Sequence, residues 1–592
     1  MNKLLVLCGL SWSVLSFALS GQAYMDRFNA YTAWNQNLPA QPSPDFLNFI
    51  KGTSPLSDKL REKWLYELVR VKNWTNFNTY YQPSDDINLV CYKQIAAYTL
   101  GQETEALKNS IPLWLAGNSQ PQACDTLFDL LLKSDNFDQG LITQRIALAL
   151  DERNIQLARY LLKQYEIPRL NQIQTLTTID QNPVNISKLS PGELSNHFYL
   201  YGLKRMVSIN MDHALRLWDQ PKTKKILTES QKQDFLAHIA LYKAMRNHED
   251  ALAWFAKVKP QYHNEVLVDW QIRFALKNND WKHVAELIND SNDKDTPCWQ
   301  YWLARALEEQ GKKEQAIAIY EPLAKKRQYY GFLASIRLNK IPSFENEKPS
   351  TNFESLKPYQ PFIEQVKALY TSGQSLQASR LLNDFISELP KDEASALVNW
   401  VDSELQWHGK SVFLSNNETL NNQLSLRFPL AYKDTVRMYA KQYAVAPEFV
   451  FAIIRQESGF REDAVSSAGA RGLMQIMPFT ASVVTKEDKI PYSDHQQLFL
   501  FQKNINIGVA YLQQLTKRFS NHPVLVAAAY NAGPKQVVYW LKNHPPKEID
   551  LWVETLPWQE TRNYLKNVMA FYVVYQYRLN QKPDLNNFLT PL

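Results

Sequence analysis

Apolar positions recur at helical spacing along most of the chain. From Tyr24 to about Asn339, stripes such as Trp64-Leu65-Tyr66-Glu67-Leu68-Val69, Ile155 to Leu162 and Ala251 to Phe255 alternate with short polar turns. In Trp270 to Ala275 and Trp302 to Ala306, aromatic and alanine positions recur with a similar step, and these stretches end at Asn278-Asn279-Asp280 and Gln310-Gly311-Lys312. A period of roughly thirty-odd residues predicts helical hairpins that bury their faces by stacking on their neighbours. Residues 24–340 therefore read as an α-solenoid, with its aromatics as repeat core rather than sugar platforms. The pattern stops in the Pro-, Ser- and Asn-rich stretch 341–361, which reads as a linker. A small helical unit is expected over 362–422, carried by Phe362 to Val366 and Ala378 to Leu382. Asn416-Asn417-Glu418 and Asn421-Asn422 then interrupt the pattern, and a last domain is placed at 423–592.

Within that last domain, Pro447 to Gly459 predicts a helix with a defined start and stop. Pro447 suits the first helical position, where no backbone donor is needed, and Gly459 suits a left-handed end. Phe449, Ile453 and Glu457 fall at i, i+4 and i+8, with Val450 and Ile454 in the adjoining rows. Glu457 thus continues an apolar stripe. Burial disfavours the charged form of a carboxyl group and raises its pKa. A carboxylic acid still protonated near neutral pH is the proton donor that glycosidic cleavage requires. The alternative is a side chain that reaches out to solvent at the helix end.

Three further stretches weigh against that alternative. Ser466 to Pro478 is a loop punctuated by Gly469 and Gly472 that runs into an alternating apolar segment. Ala528-Ala529-Tyr530-Asn531-Ala532-Gly533-Pro534 is a small-residue helix end stopped by Gly and Pro, and Glu560-Thr561-Arg562-Asn563-Tyr564 follows later. The ordered set Glu457-Ser458, Gly472-Leu473-Met474-Gln475, Ala529-Tyr530-Asn531-Ala532-Gly533 resembles the catalytic domain of lytic transglycosylases. The Glu560-Thr561-Arg562 element and the long helical region resemble the large soluble type. The motif-bearing match covers roughly the last quarter of the chain. Two departures are visible: Arg461-Glu462-Asp463 stands where many relatives carry an Asn-Pro-Asn-like turn, and an Asp-Pro often found before the Asn504 to Leu512 helix is absent.

The resemblance implies a mainly α protein whose superhelical region closes into a ring and whose C-terminal domain is a lysozyme-like α+β fold. It implies cleavage of the β-1,4 bond between N-acetylmuramic acid and N-acetylglucosamine in peptidoglycan, closing a 1,6-anhydro ring with Glu457 as the single acid and base. It places Ser466 (with Ser467 as the alternative), Gln475 and Met477 along the groove. It sets Tyr530 near Glu457 or the cleaved sugar, gives Asn531 the task of orienting the turn, and puts Glu560 against substrate, with Arg562 and Tyr564 ordering that wall. Structural readings stand beside these: Met477 as core filler, Ser466 and Asn531 as local caps, and Arg562 as a partner for Glu560. Competing functions are a hydrolase like goose-type lysozymes and a non-catalytic wall-assembly scaffold.

Composition narrows the compartment and partners. A 45% hydrophobic and 21% charged chain of 592 residues is ordinary for a globular protein of two to four domains. The formal charge of +6 suits contact with an anionic wall polymer as well as it suits ordinary surface scatter. No His or Cys cluster has metal-ligand spacing, no glycine loop cradles phosphate, and no basic run points to nucleic acid. No cofactor is expected.

Residues 1–23 read as a signal peptide: Lys3, then an apolar run from Leu4 to Leu19, then Gly21-Gln22-Ala23. An uncleaved anchor is the alternative, and Cys8 lies too early for a lipid-attachment site. Export places the chain in the periplasm, in association with the outer membrane or wall. The expected partners are glycan strands and periplasmic wall-synthesis proteins, with the chain itself a monomer. An oxidising compartment permits a disulfide; Cys91 and Cys124 are the pair closest in sequence, and the resemblance implies their pairing. Cys298, beside Trp299, reads as a buried unpaired thiol.

Overall fold

The computed structural model describes residues 21–39, 41–134, 137–543 and 548–588. The signal-peptide reading therefore lies outside the described residues except for Gly21 to Ala23, which open the helix Gly21–Gln36. The described residues are 69% helical with almost no strand. Its β component among the described residues consists of two isolated bridges, Val465 to Arg471 and Arg471 to Ile476. No described helix is long and apolar enough to cross a membrane.

The chain forms two compact units, each assembled from separated segments. One contains the described residues up to Leu60, Glu345–Tyr511 and Val574–Lys582; the other contains Arg61–Phe344, Leu512–Val573 and the described residues from Pro583 onward.

The second unit is built mainly from antiparallel helix pairs. Glu265–Lys277 pairs with Trp281–Asp290, and Pro297–Glu309 with Lys313–Ala324. Side chains set these boundaries. Asn264 accepts from the Leu267 amide at 2.9 Å to start one helix, and Asp280 accepts from the His283 amide at 3.3 Å to start the next. Asn279 and Gly311 supply the left-handed turns between partners. Trp270, Trp299 and Trp302 are buried in the stack, as a repeat core requires.

Farther upstream in this unit, Cys91 on the helix Ile87–Thr99 is disulfide-bonded to Cys124, 33 residues on. Both cysteines are fully buried. Closing a loop of that length restricts the unfolded chain, so replacing both cysteines with alanine is expected to cost about 3–4 kcal/mol. Unfolding curves with and without reductant measure this: the wild type should be sensitive to reduction, and the double variant should not.

The same unit carries a buried ionic network on the helix Ile549–Thr555, which packs against Glu265–Lys277. Glu554 accepts from Arg273 Nε at 3.2 Å, from Lys566 Nζ at 2.9 Å and from the Tyr330 hydroxyl. Burial acts to raise the Glu554 carboxyl, but the charges of Lys566 and Arg273 and the Tyr330 hydrogen bond outweigh it and hold the group well below the usual carboxylate range. Cys298 is unbonded and, as a residue, half-buried. Its thiol nevertheless lies inside this network, 3.1 Å from the Tyr330 hydroxyl, where burial and then Glu554 push it up to about 12. One turn earlier, Asp550 accepts from the Tyr301 hydroxyl at 2.6 Å, and Glu548 pairs with Arg305 at 3.0 Å.

In the first unit, Tyr24 and Phe28 from the first described helix join a cluster with Phe362, Phe385 and Trp400. Tyr24 meets Phe362 edge-on at 5.7 Å, and Lys59 pairs with the nearly buried Asp384 at 2.7 Å. The backbone of 341–351 carries no regular structure; the 3-10 turn Phe353–Tyr359 then buries Leu356 and Tyr359 against that cluster. The remainder of the unit gathers the helices Lys433–Gln442, Pro447–Glu457 and Pro478–Glu487 with the first part of Phe501–Arg518. Tyr575 closes it from the C-terminal segment, stacking on Phe451 at 5.2 Å and meeting Phe428 edge-on at 5.7 Å.

Candidate active site

Glu457 is the last residue of the helix Pro447–Glu457. Pro447 opens the helix, Ser458 caps it, and Gly459 adopts a left-handed φ of +56° immediately after. Phe449, Val450, Ile453 and Ile454 are buried, while Glu457 at the end of their stripe is half-buried. The helix thus holds the carboxyl group at the edge of the core, part shielded and part accessible. Two residues earlier, half-buried Arg455 donates through Nε to the Arg427 carbonyl at 2.8 Å, and the desolvation of its guanidinium pulls it down to about 10.

The loop that follows is fastened to this helix end by polar side chains. Ser458 Oγ donates to the Leu473 carbonyl at 2.7 Å and accepts from the Phe460 amide at 3.1 Å. Fully buried Asn504 holds the far side: Oδ1 accepts from the Met474 amide at 2.8 Å, and Nδ2 donates to the carbonyls of Arg471 and Leu498 at 2.9 and 2.7 Å. Gly472 has φ +74°, and a Cβ there would lie 2.1 Å from the Leu498 carbonyl, so no larger residue fits this approach. Gly508, one turn after Asn504, leaves room for Met474; a Cβ would meet its sulfur at 2.3 Å.

The loop residues singled out by sequence are placed as follows. Gln475 takes a left-handed φ of +47° and spends both amide hydrogens on the loop, donating to Ala464 O at 3.0 Å and Gly472 O at 2.8 Å. Ser466 Oγ accepts from the Ala470 amide at 3.0 Å, which makes it a local turn cap, and Ser467 is exposed. Met477 is 39% exposed rather than filling the core, and Phe479 beside it is 79% exposed. Glu462 is exposed and accepts from the Tyr432 hydroxyl; Asp463 is exposed beside Arg461.

Tyr530, Asn531 and Glu560 belong to the other unit and are described within it. Tyr530 and Asn531 are half-buried at the end of the helix Pro523–Ala532, stopped by Gly533 at φ +86°. Asn531 Oδ1 accepts from the Thr561 hydroxyl at 2.9 Å, so these two sequence motifs meet in space. Glu560 is exposed on the first turn of the helix Gln559–Arg578. Arg562 is buried, with Nη1 2.5 Å from the Leu556 carbonyl and its guanidinium 5.4 Å from the centre of the Trp270 ring. Burial holds it down at about 10. Tyr564 is buried on the same helix.

Two contributors were not assigned a role from sequence: Ser458 and Asn504. Asn504 and Gly508, four apart on the helix Phe501–Arg518, were the available signal, because a buried carboxamide must find hydrogen-bond partners. Among the described residues no group of three or more His, Cys, Asp or Glu is placed to hold a metal.

Residues 434–553 match the family "Transglycosylase SLT domain", and residues 555–583 match "Soluble lytic transglycosylase helical domain". The chain is 28% identical over 570 residues to a soluble lytic murein transglycosylase of Escherichia coli K12, covering 94% of this chain and 88% of that one. It also resembles the X-ray structure of an inactive variant of the lytic transglycosylase Slt from Pseudomonas aeruginosa. That pair has a TM-score of 0.82 and 29% identity, with 96% of this chain and 94% of that one covered. The 70 kDa soluble lytic transglycosylase of Escherichia coli gives a TM-score of 0.73 at 27% identity, with 95% and 93% covered.

Proposed function

We propose that this chain, which is similar over nearly its whole length to soluble lytic murein transglycosylases, cleaves the β-1,4 bond between N-acetylmuramic acid and N-acetylglucosamine with Glu457 as its single acid and base. The observation that carries this reading is the position of Glu457, half-buried at the end of a buried apolar stripe, while its sequence neighbours Glu462 and Asp463 lie exposed. Glu457 in its acid form donates a proton to the glycosidic oxygen as that bond breaks. The resulting carboxylate then takes the proton of the muramyl 6-hydroxyl as its oxygen bonds to the anomeric carbon. One proton leaves Glu457 and one returns, no water is consumed, and the product ends in a 1,6-anhydro ring. A nucleophile carried by the substrate needs positioning rather than a second carboxylate, since an oriented intramolecular group acts at a very high effective concentration.

The other candidate residues divide the task of holding the sugars. Gln475 offers its remaining Oε1, Met477 an exposed thioether flank, and Ser466 a loop held in shape. Tyr530 supplies a hydroxyl near the cleaved sugar, Asn531 fixes the turn through Thr561, and Glu560 accepts from sugar hydroxyls. The domains are read as 24–340, 362–422 and 423–592, with 341–361 as linker and 1–23 as the exported leader, which places the enzyme in the periplasm on glycan strands. Mass spectrometry of digested peptidoglycan tests the chemistry. Muropeptides lighter by one water per cut than their hydrolytic counterparts are expected, and reducing ends as the primary product would instead place a water-activating base in the site, as in goose-type lysozymes.

A further inference from the structure

Within the helical-repeat part of the larger unit, a recess of about 680 Å³ lies between the helix Leu170–Gln181, the 3-10 turn Pro183–Lys188 and the loop entering the helix Ser195–Ile209. The first helix divides its residues by face. Leu176 and Ile179 are buried, Ile179 forming part of the recess floor with Leu189 and Phe198, while Asn171, Gln174, Thr175 and Thr178, at i, i+3, i+4 and i+7, line its wall. A polar stripe at that spacing ordinarily faces bulk water. Here it faces a concavity within the size range of small-ligand pockets.

Its hydrogen-bonding capacity is largely uncommitted. The hydroxyls of Thr175 and Thr178 donate to the carbonyls of Asn171 and Gln174, both at 2.9 Å, which leaves their oxygens able to accept. Asn185 props the opposite wall by donating to the Thr178 carbonyl at 3.2 Å. The carboxamides of Asn171, Gln172 and Gln174 make no side-chain hydrogen bond among the described residues, so each presents a donor and an acceptor together. Glu193 at the rim is occupied by Arg169 at 2.8 Å, and Lys188 is the one lining cation among the described residues.

We propose that this recess is a second saccharide-binding site, one that takes an N-acetylated segment of the glycan strand; the proposal rests on the reading of murein as substrate. A hydroxyl- and acetamide-bearing ligand matches paired donors and acceptors on neutral side chains. A phosphorylated ligand would call for several cations, and a wholly apolar one would offer the carboxamides no partner. A polymer held at a second point is also kept at raised effective concentration near the first.

Equilibrium dialysis of the full-length Glu457→Gln protein against the β-1,4-linked N-acetylglucosamine tetramer provides the test. Two molecules bound per chain at saturation are expected. Adding Gln174→Leu and Thr178→Val should reduce this to one, with the remaining affinity and the circular dichroism spectrum unchanged. Should that pair disturb folding, the exposed or half-exposed pair Asn171→Ala and Gln172→Ala is expected to weaken the same site at least tenfold. A single bound molecule in both proteins, an unchanged two in the variants, or no binding at all overturns the inference. In the otherwise native enzyme the recess variants should raise KM on long glycan strands about tenfold with kcat unchanged, and equal KM values on long strands also overturn it. The reading of the catalytic site fails by a different sign, namely no muropeptide release from peptidoglycan by the native chain.

Discussion

Glu457→Gln is expected to lower the release of muropeptides by about 10²–10⁴-fold, the range over which a positioned general acid and base contributes. The amide is nearly isosteric with the acid, so the helix Pro447–Glu457 keeps its buried Phe449, Ile453 and Ile454 and its Ser458 cap. It cannot donate a proton to the leaving oxygen, and it cannot recover one from the 6-hydroxyl. Both halves of the proposed step are lost together. The variant should therefore be folded, should bind glycan, and should be inactive across pH. Turnover by wild-type and variant protein on isolated glycan chains, read by mass spectrometry, checks this. Normal cleavage by the variant would remove Glu457 from the centre of the reaction.

Glu554→Gln is expected to be the most costly single change for folding, at about 3–5 kcal/mol, because it strips the counter-charge from cations already out of water. Arg273 keeps Asp269 at 3.1 Å, but Lys566 loses the carboxylate 2.9 Å away, and the Tyr330 hydroxyl loses a charged acceptor. The pH dependence has a definite sign. A carboxyl held below its unfolded value stabilises the fold fully above that value, about 4.3, and the contribution fades as pH falls through the lower folded value. The gap in denaturation midpoint between wild type and variant should therefore be full at neutral pH and narrow below about pH 4, where the carboxyl of the unfolded wild-type chain begins to take up a proton. A gap that stays constant down to pH 2 would mean that lost shape complementarity, not charge, is what the substitution removes.

Much of the local structure was legible because it depends on neighbours in sequence. The 3.6-residue apolar spacing specified the helices, Pro447 and Gly459 marked the ends of the helix bearing Glu457, and Asn279 and Gly311 marked turns between paired helices. The placement of Glu457 at the margin of a buried stripe followed from the same arithmetic. Gly472 was visible as a turn residue, yet the reason it has no substitute, the Leu498 carbonyl pressed against it, comes from a segment 26 residues away.

The remainder depended on which distant groups meet, which periodicity does not encode. Sequence could count Glu554, Arg273, Lys566 and Tyr330 as ordinary polar residues on separate helices; only packing removes them from water and turns them into one network. Gln475 illustrates the same limit at short range, since its two amide hydrogens are claimed by Ala464 and Gly472 once the chain turns left-handed there. The assembly of each compact unit from segments hundreds of residues apart was likewise decided in three dimensions, with Tyr24 packing on Phe385 and Tyr575 on Phe451. Helix formation is a near-neighbour property that local spacing and caps determine. Burial, charge pairing and the state of a carboxyl group are properties of the whole fold, because they depend on which atoms replace water.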